Sequence, residues 1–349
     1  MDATRPTGTL RRSIPLVVLL AAAALVAACD AGSDLTGSAV ASGDATDTSD
    51  RGEATDTTPA GGADELAEPG ITAVRELTVD GRDRSYRFRL PSGAHDGLLP
   101  LVVMLHGGLG SGRQAEEAYG WNELADREGV AMAYPDGLNR SWAVSDECCG
   151  PSVAAGVDEV TFIEAMVDEL VAAAPIDPER IYVTGISNGG MLTYELACHS
   201  DRVTAVAPVA ATMLDDCPSP RPLPVLHIHG TADASVPYGG GPGAGPSSRA
   251  GIENVTIDGP GAEELAGFWR RVDGCETSTA STEGPMTIST AACADGMAVE
   301  LVTVDGAGHQ WPGADGNPVL ERALGLDPPS DALDATETIW AFFADTPGR

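Results

Sequence analysis

The sequence predicts one α/β domain in which a mostly parallel sheet is covered by helices on both faces. Strand-like and helix-like segments alternate along most of the chain, as repeated βα units do. The segment Pro100–Leu105 (PLVVML) is almost continuously apolar, which is typical of a strand buried on both faces. The chain of 349 residues is long enough to bury a sizeable core, and it shows no internal repeat.

The predicted strands are short apolar or alternating runs bounded by turn residues. The first two alternate apolar and polar residues and predict an antiparallel pair, whereas the later runs predict buried strands. The predicted strands are Ala73–Val79, Ser85–Leu90, Pro100–Leu105, Val130–Tyr134, Arg180–Thr184, Val203–Val209, Leu223–Ile228 and Ala298–Val304.

The predicted helices have apolar residues at helical spacing. The clearest is Val160–Ala173, whose apolar side chains form one stripe and which follows Asp158 at the N-cap position. The predicted helices are Arg113–Glu128, Val160–Ala173, Asn188–Ala197, Ala262–Val272 and Asp331–Phe343.

Residues 1–28 are interpreted as a lipoprotein signal peptide. Two arginines precede an apolar run that is shorter than the about 20 residues a membrane span needs. The small residues Val26, Ala27 and Ala28 directly before Cys29 resemble a bacterial lipobox, which implies cleavage there and lipidation of the Cys29 thiol. The alternative is an ordinary secretory signal with an incidental cysteine. Both interpretations predict an exported protein, lipid-anchored to the outer face of the cell membrane or released.

A tether is predicted between the signal peptide and the domain. Residues 29–70 are rich in Asp, Ser, Thr, Ala and Gly and have almost no large apolar side chains. Such a segment cannot bury enough surface to offset its ordering entropy, so it is predicted to be a disordered acidic linker. Residues 71–349 are then the folded α/β domain.

The charge of the chain excludes several classes of partner. The net charge is −32 and the chain contains no lysine. Nucleic acid, an anionic membrane surface and polyanionic substrates are all disfavoured by this charge. The predicted membrane contact is therefore limited to a lipid on Cys29.

Six cysteines remain beyond Cys29, an even number that suggests disulfides in an exported domain. Spacing leaves many pairings open. The favoured pairs are Cys275–Cys293, which bracket a polar segment, and Cys198–Cys217. If these two pairs form, the sequence neighbours Cys148 and Cys149 remain to pair with each other, which is unusual. No Cys-x-x-Cys or tight histidine spacing supports a metal site, and no cofactor is predicted.

Three groups of polar residues follow predicted strands. Gly185-Ile186-Ser187-Asn188-Gly189 has the G-x-S-x-G form of a nucleophile placed on a tight strand-to-helix turn. The segment from His106 to Gly110 follows PLVVML, and its glycines allow backbone N–H groups to approach an oxyanion. We predict that the N–H of Asn188 forms an oxyanion hole with that of Gly108 or Leu109. The alternative for each segment is a plain glycine-rich turn.

The third group supplies an acid and a base. Asp233 follows the strand in "HIHGTAD", and His309 follows Ala298–Val304 in "GAGHQWPG". The order Ser187, Asp233, His309 is that of α/β-hydrolases and differs from both unrelated serine-protease orders. The sequence therefore predicts an α/β-hydrolase with a Ser-His-Asp triad. Competing groups are interpreted otherwise: Asp136 as a turn residue, Asp158 as a cap, His106 as a loop-shaping residue, and His227 and His229 as structural.

The domain resembles bacterial proteins of the polyhydroxybutyrate depolymerase and feruloyl esterase family, which includes secreted lipoproteins. The resemblance covers most of residues 75–345. It rests on His106–Gly110, Ser141-Trp142, Cys148-Cys149-Gly150, "GVDEVTFI", "GISNGGMLTYELAC", "VLHIHGTADASVPYGG" and "GHQWPG". One departure is Asp158-Glu159, where the family has two aspartates; the negative charge is unchanged.

The resemblance implies a serine esterase that acts on feruloyl or acetyl esters of polysaccharide, or on hydroxyalkanoate esters, through an acyl-enzyme. Trp142 and Trp311 are candidate walls for an aromatic acyl group or a sugar ring, with core packing as the alternative. Two other functions were weighed. A peptidase of the same fold would need an added domain that the chain is too short to hold, and a non-catalytic polysaccharide-binding lipoprotein would not need all three triad groups.

Overall fold

The computed structural model describes residues 66–93, 95–146, 148–243, 257–316 and 326–348. The predicted signal peptide, Cys29 and most of the predicted tether lie outside the described residues. Leu66 and Ala67, at the end of the predicted tether, are buried in the core, so packing begins before Ile71. Within the described ranges, no helix combines the length and apolarity that crossing a bilayer requires.

A ten-stranded mixed sheet forms the centre of the domain, in the order β1-β2-β4-β3-β5-β6-β7-β12-β11-β10. The six strands from β4 to β12 in this order are parallel, and antiparallel strands extend the sheet at both edges. The strands are β1 Thr72–Val79, β2 Arg82–Arg89, β3 Leu99–Leu105, β4 Ala131–Pro135, β5 Ile176–Ile186, β6 Ala205–Val209, β7 Val225–Gly230, β10 Thr279–Glu283, β11 Met286–Ala292 and β12 Ala298–Val304, and a separate short pair is formed by β8 Gly241–Pro242 and β9 Asp258–Gly259.

Helices cover both faces of the sheet, as the sequence predicts. On β3, Leu101 and Val103 contribute to one apolar core, whereas Val102 and Met104 contribute to the other. This alternation explains why the strand is apolar at every position. The helices are α1 Gly112–Ala118, α2 Trp121–Glu128, α3 Pro151–Ala154, α4 Glu159–Ala173, α5 Asn188–His199, α6 Ala262–Val272 and α7 Ala335–Asp345.

Several elements differ from the prediction, and α3, β8 and β9 are short elements that it lacked. The predicted helix Arg113–Glu128 is two helices, because Gly120 adopts a left-handed conformation (φ 71°) that ends the first and opens the second. The hairpin of β10 and β11 was not predicted. Every residue of β10 is exposed and polar or small, so the segment lacks the apolar alternation that indicates a strand.

The three disulfides have the predicted pairing. Cys198 at the end of α5 is joined to Cys217, and Cys275 is joined to Cys293 across the base of the β10–β11 hairpin. The remaining pair is Cys148–Cys149. The first two close loops with sequence separations of 19 and 18 residues. In the chain-entropy model, a loop of this size stabilises the fold by about 3 kcal/mol.

One buried acid makes the stability of this fold depend on pH. Glu195 lies on the inner face of α5, and its side chain is 11% exposed, 3.6 Å from His199. Burial raises the pKa of Glu195 to about 8, and the negative charge of Asp215 adds to the shift. An unfolded glutamate has a pKa of about 4.3. Between these values the folded protein holds a proton that the unfolded chain has released, so stability falls as pH rises.

We therefore expect the stability of Glu195→Gln relative to the wild type to be greater at pH 8 than at pH 5. The wild-type loss is at most about 1.4 kcal/mol per pH unit over this window, and the amide has no charge to desolvate. Urea unfolding of both proteins at pH 5 and pH 8 measures the difference. Glu283→Gln on exposed β10 removes the same charge without burial and is the control. An equal effect of Glu195→Gln at both pH values would contradict the prediction.

Candidate active site

The predicted triad residues follow strands that end at one edge of the sheet. Parallel strands β3, β5, β7 and β12 end at Leu105, Ile186, Gly230 and Val304, and the polar motifs follow directly after them. Carboxyl ends of parallel strands share one edge, which is where open α/β sheets bind ligands.

Ser187 lies on the turn between β5 and α5 in a strained backbone conformation. Its φ is 55° and its ψ is −122°, which is sparsely populated for any residue but glycine and costs on the order of 1–3 kcal/mol. The turn is tight enough that a Cβ at Gly189 would lie 2.4 Å from the carbonyl oxygen of Leu105. Glycine is therefore required there. The Ser187 hydroxyl has no hydrogen-bond partner among the described residues, so it is free to react.

Asp233 and His309 are in direct contact. Oδ2 of Asp233 lies 2.7 Å from Nδ1 of His309, and Oδ1 accepts hydrogen bonds from the backbone N–H groups of Ser235 and Val236, both at 2.8 Å. Asp233 is buried, whereas the His309 side chain is 16% exposed. His309 Nε2 has no hydrogen-bond partner in the described part of the chain, so this nitrogen can accept a proton.

Asp233 is an anion despite its burial. Burial raises the pKa of the carboxyl, but hydrogen bonds from His229 and His309, the charge of His309 and the N–H of Val236 outweigh it. The pKa of Asp233 therefore lies well below its usual range. A carboxylate in this position holds the Nδ1 proton of His309 and stabilises an imidazolium.

The loop of His309 is fixed by an acid that the sequence analysis did not identify. Asp327 Oδ2 accepts a hydrogen bond from the backbone N–H of His309 at 2.8 Å. A Cβ at Gly308 would lie 2.3 Å from the Asp327 carboxyl, so glycine is needed for this approach. Asp327 follows the motif by 18 residues and has no local signal that could have revealed its contact.

Gly108 and Asn188, whose backbone N–H groups are predicted to form an oxyanion hole, lie close together. Gly108 and Asn188 are adjacent, since a Cβ at Gly108 would lie 3.8 Å from the Asn188 Cβ. Asn188 is the first residue of α5, where an N–H group has no acceptor within the helix. No acceptor for either N–H occurs among the residues described.

Leu109, the second alternative for the oxyanion hole, does not fit that role. Its N–H donates to the carbonyl oxygen of Arg140 at 2.8 Å and is unavailable to a substrate. The φ of Leu109 is 65°, and its side chain is 51% exposed. Of the two alternatives left open by the sequence, the geometry leaves Gly108.

The assignment of Trp142 and Trp311 as substrate walls was wrong. Both side chains are fully buried, with 0% and 1% exposure, so neither face can contact a ligand. Trp311 stacks on Tyr119 with ring centroids 4.8 Å apart, and its indole N–H reaches Thr336. The alternative of core packing is the one that the structure confirms.

Trp142 instead connects the two loops that carry Gly108 and Asn188. Its indole N–H donates to the carbonyl oxygen of His106 at 2.8 Å. Its backbone N–H donates to Asn188 Oδ1 at 2.7 Å, and its carbonyl oxygen accepts from Asn188 Nδ2 at 2.9 Å. One residue therefore fixes the spacing between the end of β3 and the start of α5.

We expect Trp142→Phe to lower kcat for ester hydrolysis roughly ten-fold with little change in KM. The phenyl ring preserves most of the packing but leaves the buried His106 carbonyl without its donor, at a cost of about 1–3 kcal/mol. Steady-state kinetics and urea unfolding measure the two effects. Trp311→Phe is the matched control, because its indole N–H bonds a hydroxyl away from these loops. Equal kcat losses in both variants would contradict this role of Trp142.

The competing acids have the structural roles assigned to them. Asp136 accepts a hydrogen bond from the backbone N–H of Gly112 at 2.8 Å, and Asp158 caps α4 by accepting from Thr161. His106 is buried and accepts from the N–H of Gly137 through Nε2, with Nδ1 on the carbonyl of Gly107. Burial lowers the pKa of His106, consistent with a neutral ring that shapes its loop.

The described residues contain one group of three potential metal ligands, Asp273, Cys275 and Cys293. The two sulfur atoms form a disulfide with each other, so no thiolate remains to bind a cation. Asp273 alone does not make a metal site.

Comparisons with known proteins agree on the class of enzyme. Residues 84–216 match the family model described as esterase PHB depolymerase. The putative esterase NocK of Nocardia uniformis subsp. tsuyamanensis is 37% identical over 266 residues, which cover 69% of this chain and 74% of that protein. Feruloyl esterase B of Piromyces equi is 30% identical over 234 residues, covering 63% of this chain but only 41% of that protein.

Solved structures agree on the fold. The acetyl xylan esterase from Aspergillus awamori superimposes with a TM-score of 0.53, covering 78% of this chain and 99% of that one. At 13% identity this likeness concerns the fold alone. The sheet order, the strand-to-helix turn at Ser187 and the sequence relatives together place the chain: it belongs to the esterase PHB depolymerase family, a carboxylic ester hydrolase with the α/β-hydrolase fold.

Proposed function

We propose that the protein is an exported serine esterase that cleaves carboxylic esters through an acyl-enzyme, with Ser187 as nucleophile, His309 as general base and Asp233 as its partner. The observation that carries this proposal is the 2.7 Å contact between Asp233 and His309 at the sheet edge where Ser187 follows β5. Acyl transfer needs a free hydroxyl and an imidazole oriented by a carboxylate, and Ser187 and the Asp233–His309 pair supply these groups.

The first half-reaction forms the acyl-enzyme. His309 Nε2 takes the proton of Ser187 as its Oγ bonds to the ester carbonyl carbon, whose oxygen becomes an oxyanion. The N–H groups of Gly108 and Asn188 donate to that oxygen. When the intermediate collapses, the bond to the alcohol oxygen breaks, and the imidazolium gives its proton to the leaving alcohol.

The second half-reaction returns the enzyme to its starting state. A water molecule enters, His309 Nε2 removes its proton, and the hydroxide oxygen bonds to the acyl carbon. Collapse of this second oxyanion breaks the bond to Ser187 Oγ, which recovers its proton from His309. The carboxylic acid leaves. In both halves Asp233 stays ionised and holds the Nδ1 proton of His309.

The proposed substrates are feruloyl or acetyl esters of polysaccharide, or hydroxyalkanoate esters, possibly in polymeric form. Support comes from a relative that is named a feruloyl esterase and from the family model, which is described as an esterase PHB depolymerase. The strongly negative charge of the chain favours neutral over polyanionic polymers. Export rests on the N-terminal apolar run, and a lipid on Cys29 would anchor the enzyme outside the cell.

The test of this proposal is covalent labelling combined with a substrate panel. A fluorophosphonate should label the purified protein at one site, and peptide mass mapping should place the label on Ser187. Hydrolysis of p-nitrophenyl acetate and butyrate, methyl ferulate, acetylated xylan and hydroxybutyrate oligomers then ranks the substrates. No labelling together with no hydrolysis would reject the proposal and favour the polysaccharide-binding alternative. Labelling at another serine would reject the nucleophile.

A further inference from the structure

Behind Asp233 lies a buried set of ionisable side chains that the proposed mechanism does not use. We call Tyr194, His227 and His229 the histidine chain; their exposures are 0%, 1% and 2%. His227 and His229 are two residues apart on β7 and therefore share one face of the sheet, and Tyr194 packs on that face from α5. Three polar rings in a core require an explanation, because each buried polar atom must be paired.

The histidine chain is continuously hydrogen-bonded from α5 to the triad. Tyr194 Oη contacts His227 Nδ1, and His227 Nε2 lies 2.8 Å from His229 Nδ1. His229 Nε2 lies 2.8 Å from the carbonyl oxygen of Val236 and 3.4 Å from Asp233 Oδ2. Every ring nitrogen of both histidines thus has a partner, and the last one faces the turn that holds Asp233.

The direction of each hydrogen bond follows from the acceptor at the end of the histidine chain, the carbonyl oxygen of Val236. A carbonyl oxygen only accepts, so His229 Nε2 must carry a proton and donate it to Val236. In a neutral ring His229 Nδ1 is then an acceptor, which requires His227 Nε2 to donate. By the same step His227 Nδ1 accepts from the Tyr194 hydroxyl. All three donors point the same way, toward Asp233.

The surroundings favour a neutral His227 ring. Burial, and the proximity of His229, lower the pKa of His227 well below its usual range. Tyr238 packs edge-on against His229 at 5.7 Å, and Trp269 stacks on Tyr194 at 6.5 Å, so aromatic rings border both ends. The charged group that faces the chain is Asp233, whose negative charge attracts the donor end of His229.

We propose that Tyr194, His227 and His229 are positioning residues, a polarised donor chain that holds the Asp233 turn in register with His309. The inference rests on the proposed function, because it concerns the orientation of the proposed triad. His229 reaches both the Val236 carbonyl and Asp233 Oδ2, while the Val236 N–H reaches Asp233 Oδ1. The His229 N–H therefore restrains the turn and the carboxylate together, and loss of this restraint would let Oδ2 drift from His309 Nδ1.

The first test measures proton positions in the intact protein and needs no activity. NMR of the ¹⁵N-histidine-labelled wild type, recorded between pH 5 and pH 8, should show the ring proton on Nε2 of both His227 and His229. Assignment comes from His227→Gln and His229→Gln samples. A proton on Nδ1 of either ring, or a charged ring in this range, would overturn the proposed polarity.

The second test separates positioning from plain stabilisation. His229→Leu removes both ring nitrogens at similar volume, and His229→Gln keeps a donor and an acceptor. We expect His229→Leu to lower kcat about 10–100-fold, as loss of an orienting partner does at other histidine sites, with KM within about two-fold. His229→Gln should recover part of that loss of kcat. Tyr194→Phe should lower kcat less than His229→Leu does, because Tyr194 is two hydrogen bonds further from Asp233.

Controls make each outcome decisive. Tyr134→Phe removes another buried tyrosine hydroxyl, one bonded to Asn122, and should leave kcat unchanged. If variants of the histidine chain unfold at lower temperature but their folded fraction keeps wild-type kcat, the chain is structural only and the proposal fails. If His229→Leu does not fold, the kcat of folded Tyr194→Phe decides whether the histidine chain positions the triad. If the wild type neither reacts with fluorophosphonate nor hydrolyses esters, the proposed function fails, while the NMR result still judges the polarity.

Discussion

Replacing Ser187 with alanine is expected to lower kcat by on the order of 10⁶-fold and to leave KM nearly unchanged. Alanine preserves the backbone of the turn between β5 and α5 but has no atom that can form an acyl-enzyme. The oxyanion hole and substrate binding remain, so a residual acceleration of about 10³–10⁴ over water should persist. Stability should change little, since the Ser187 hydroxyl makes no hydrogen bond with the described residues.

Steady-state kinetics and fluorophosphonate labelling of Ser187→Ala measure this loss. Ser200→Ala is the matched control, because it removes a hydroxyl just beyond the opposite end of α5, where Ser200 donates to Glu164. That variant should keep its rate within about two-fold. Substantial hydrolysis by Ser187→Ala, insensitive to fluorophosphonate, would mean that another group attacks the ester and that the strained turn has a different purpose.

The positions that sequence predicted well are those fixed by local chemistry. Ser187 stands in a glycine-bounded turn because a side chain at Gly189 would collide with the end of β3. Asp233 and His309 follow buried strands, as the sequence predicts. The cysteine pairs were also predictable, since Cys275 and Cys293 bracket one hairpin. The glycine requirement at Ser187 is the most local of these constraints, since it lies within two residues of the serine.

The errors concern contacts between distant segments. Whether Gly108 or Leu109 supplies an N–H depends on the carbonyl of Arg140, about thirty residues further along the chain, which accepts from Leu109. Trp142 has an aromatic face suited to a substrate, but its indole N–H is directed at His106 inside the protein. Composition shows that an aromatic ring is present near a site and cannot show which way it points.

The interpretation of His227 and His229 as structural was incomplete for the same reason. Their alternation in "HIHG" indicates two side chains on one face of a buried strand. It contains no information on the Val236 carbonyl, which sets the direction of every hydrogen bond in the histidine chain. A buried strand that carries two histidines just before a candidate catalytic acid is the signal to look for.

Asp233→Asn is expected to lower kcat about 10⁴-fold, because it removes the carboxylate that orients His309. An asparagine amide turned toward His309 presents an N–H where Nδ1 now donates. His309 would then hold its proton on Nε2 and could not accept the proton of Ser187. Asp136→Asn is the matched control, because Asp136 also follows a parallel strand and accepts from a backbone N–H. It should reduce kcat less than about ten-fold.

Stability gives Asp233→Asn a second, independent readout. The folded-state pKa of Asp233 lies below its usual value, so its ionised form stabilises the fold above the unfolded pKa of about 3.9, and this contribution is lost as pH falls. The wild type should therefore exceed Asp233→Asn in unfolding free energy at pH 7, and the gap should narrow below pH ~4. If Asp136→Asn instead removes activity while Asp233→Asn retains it, the acid of the triad is misassigned. The histidine chain would then restrain a turn with no part in catalysis.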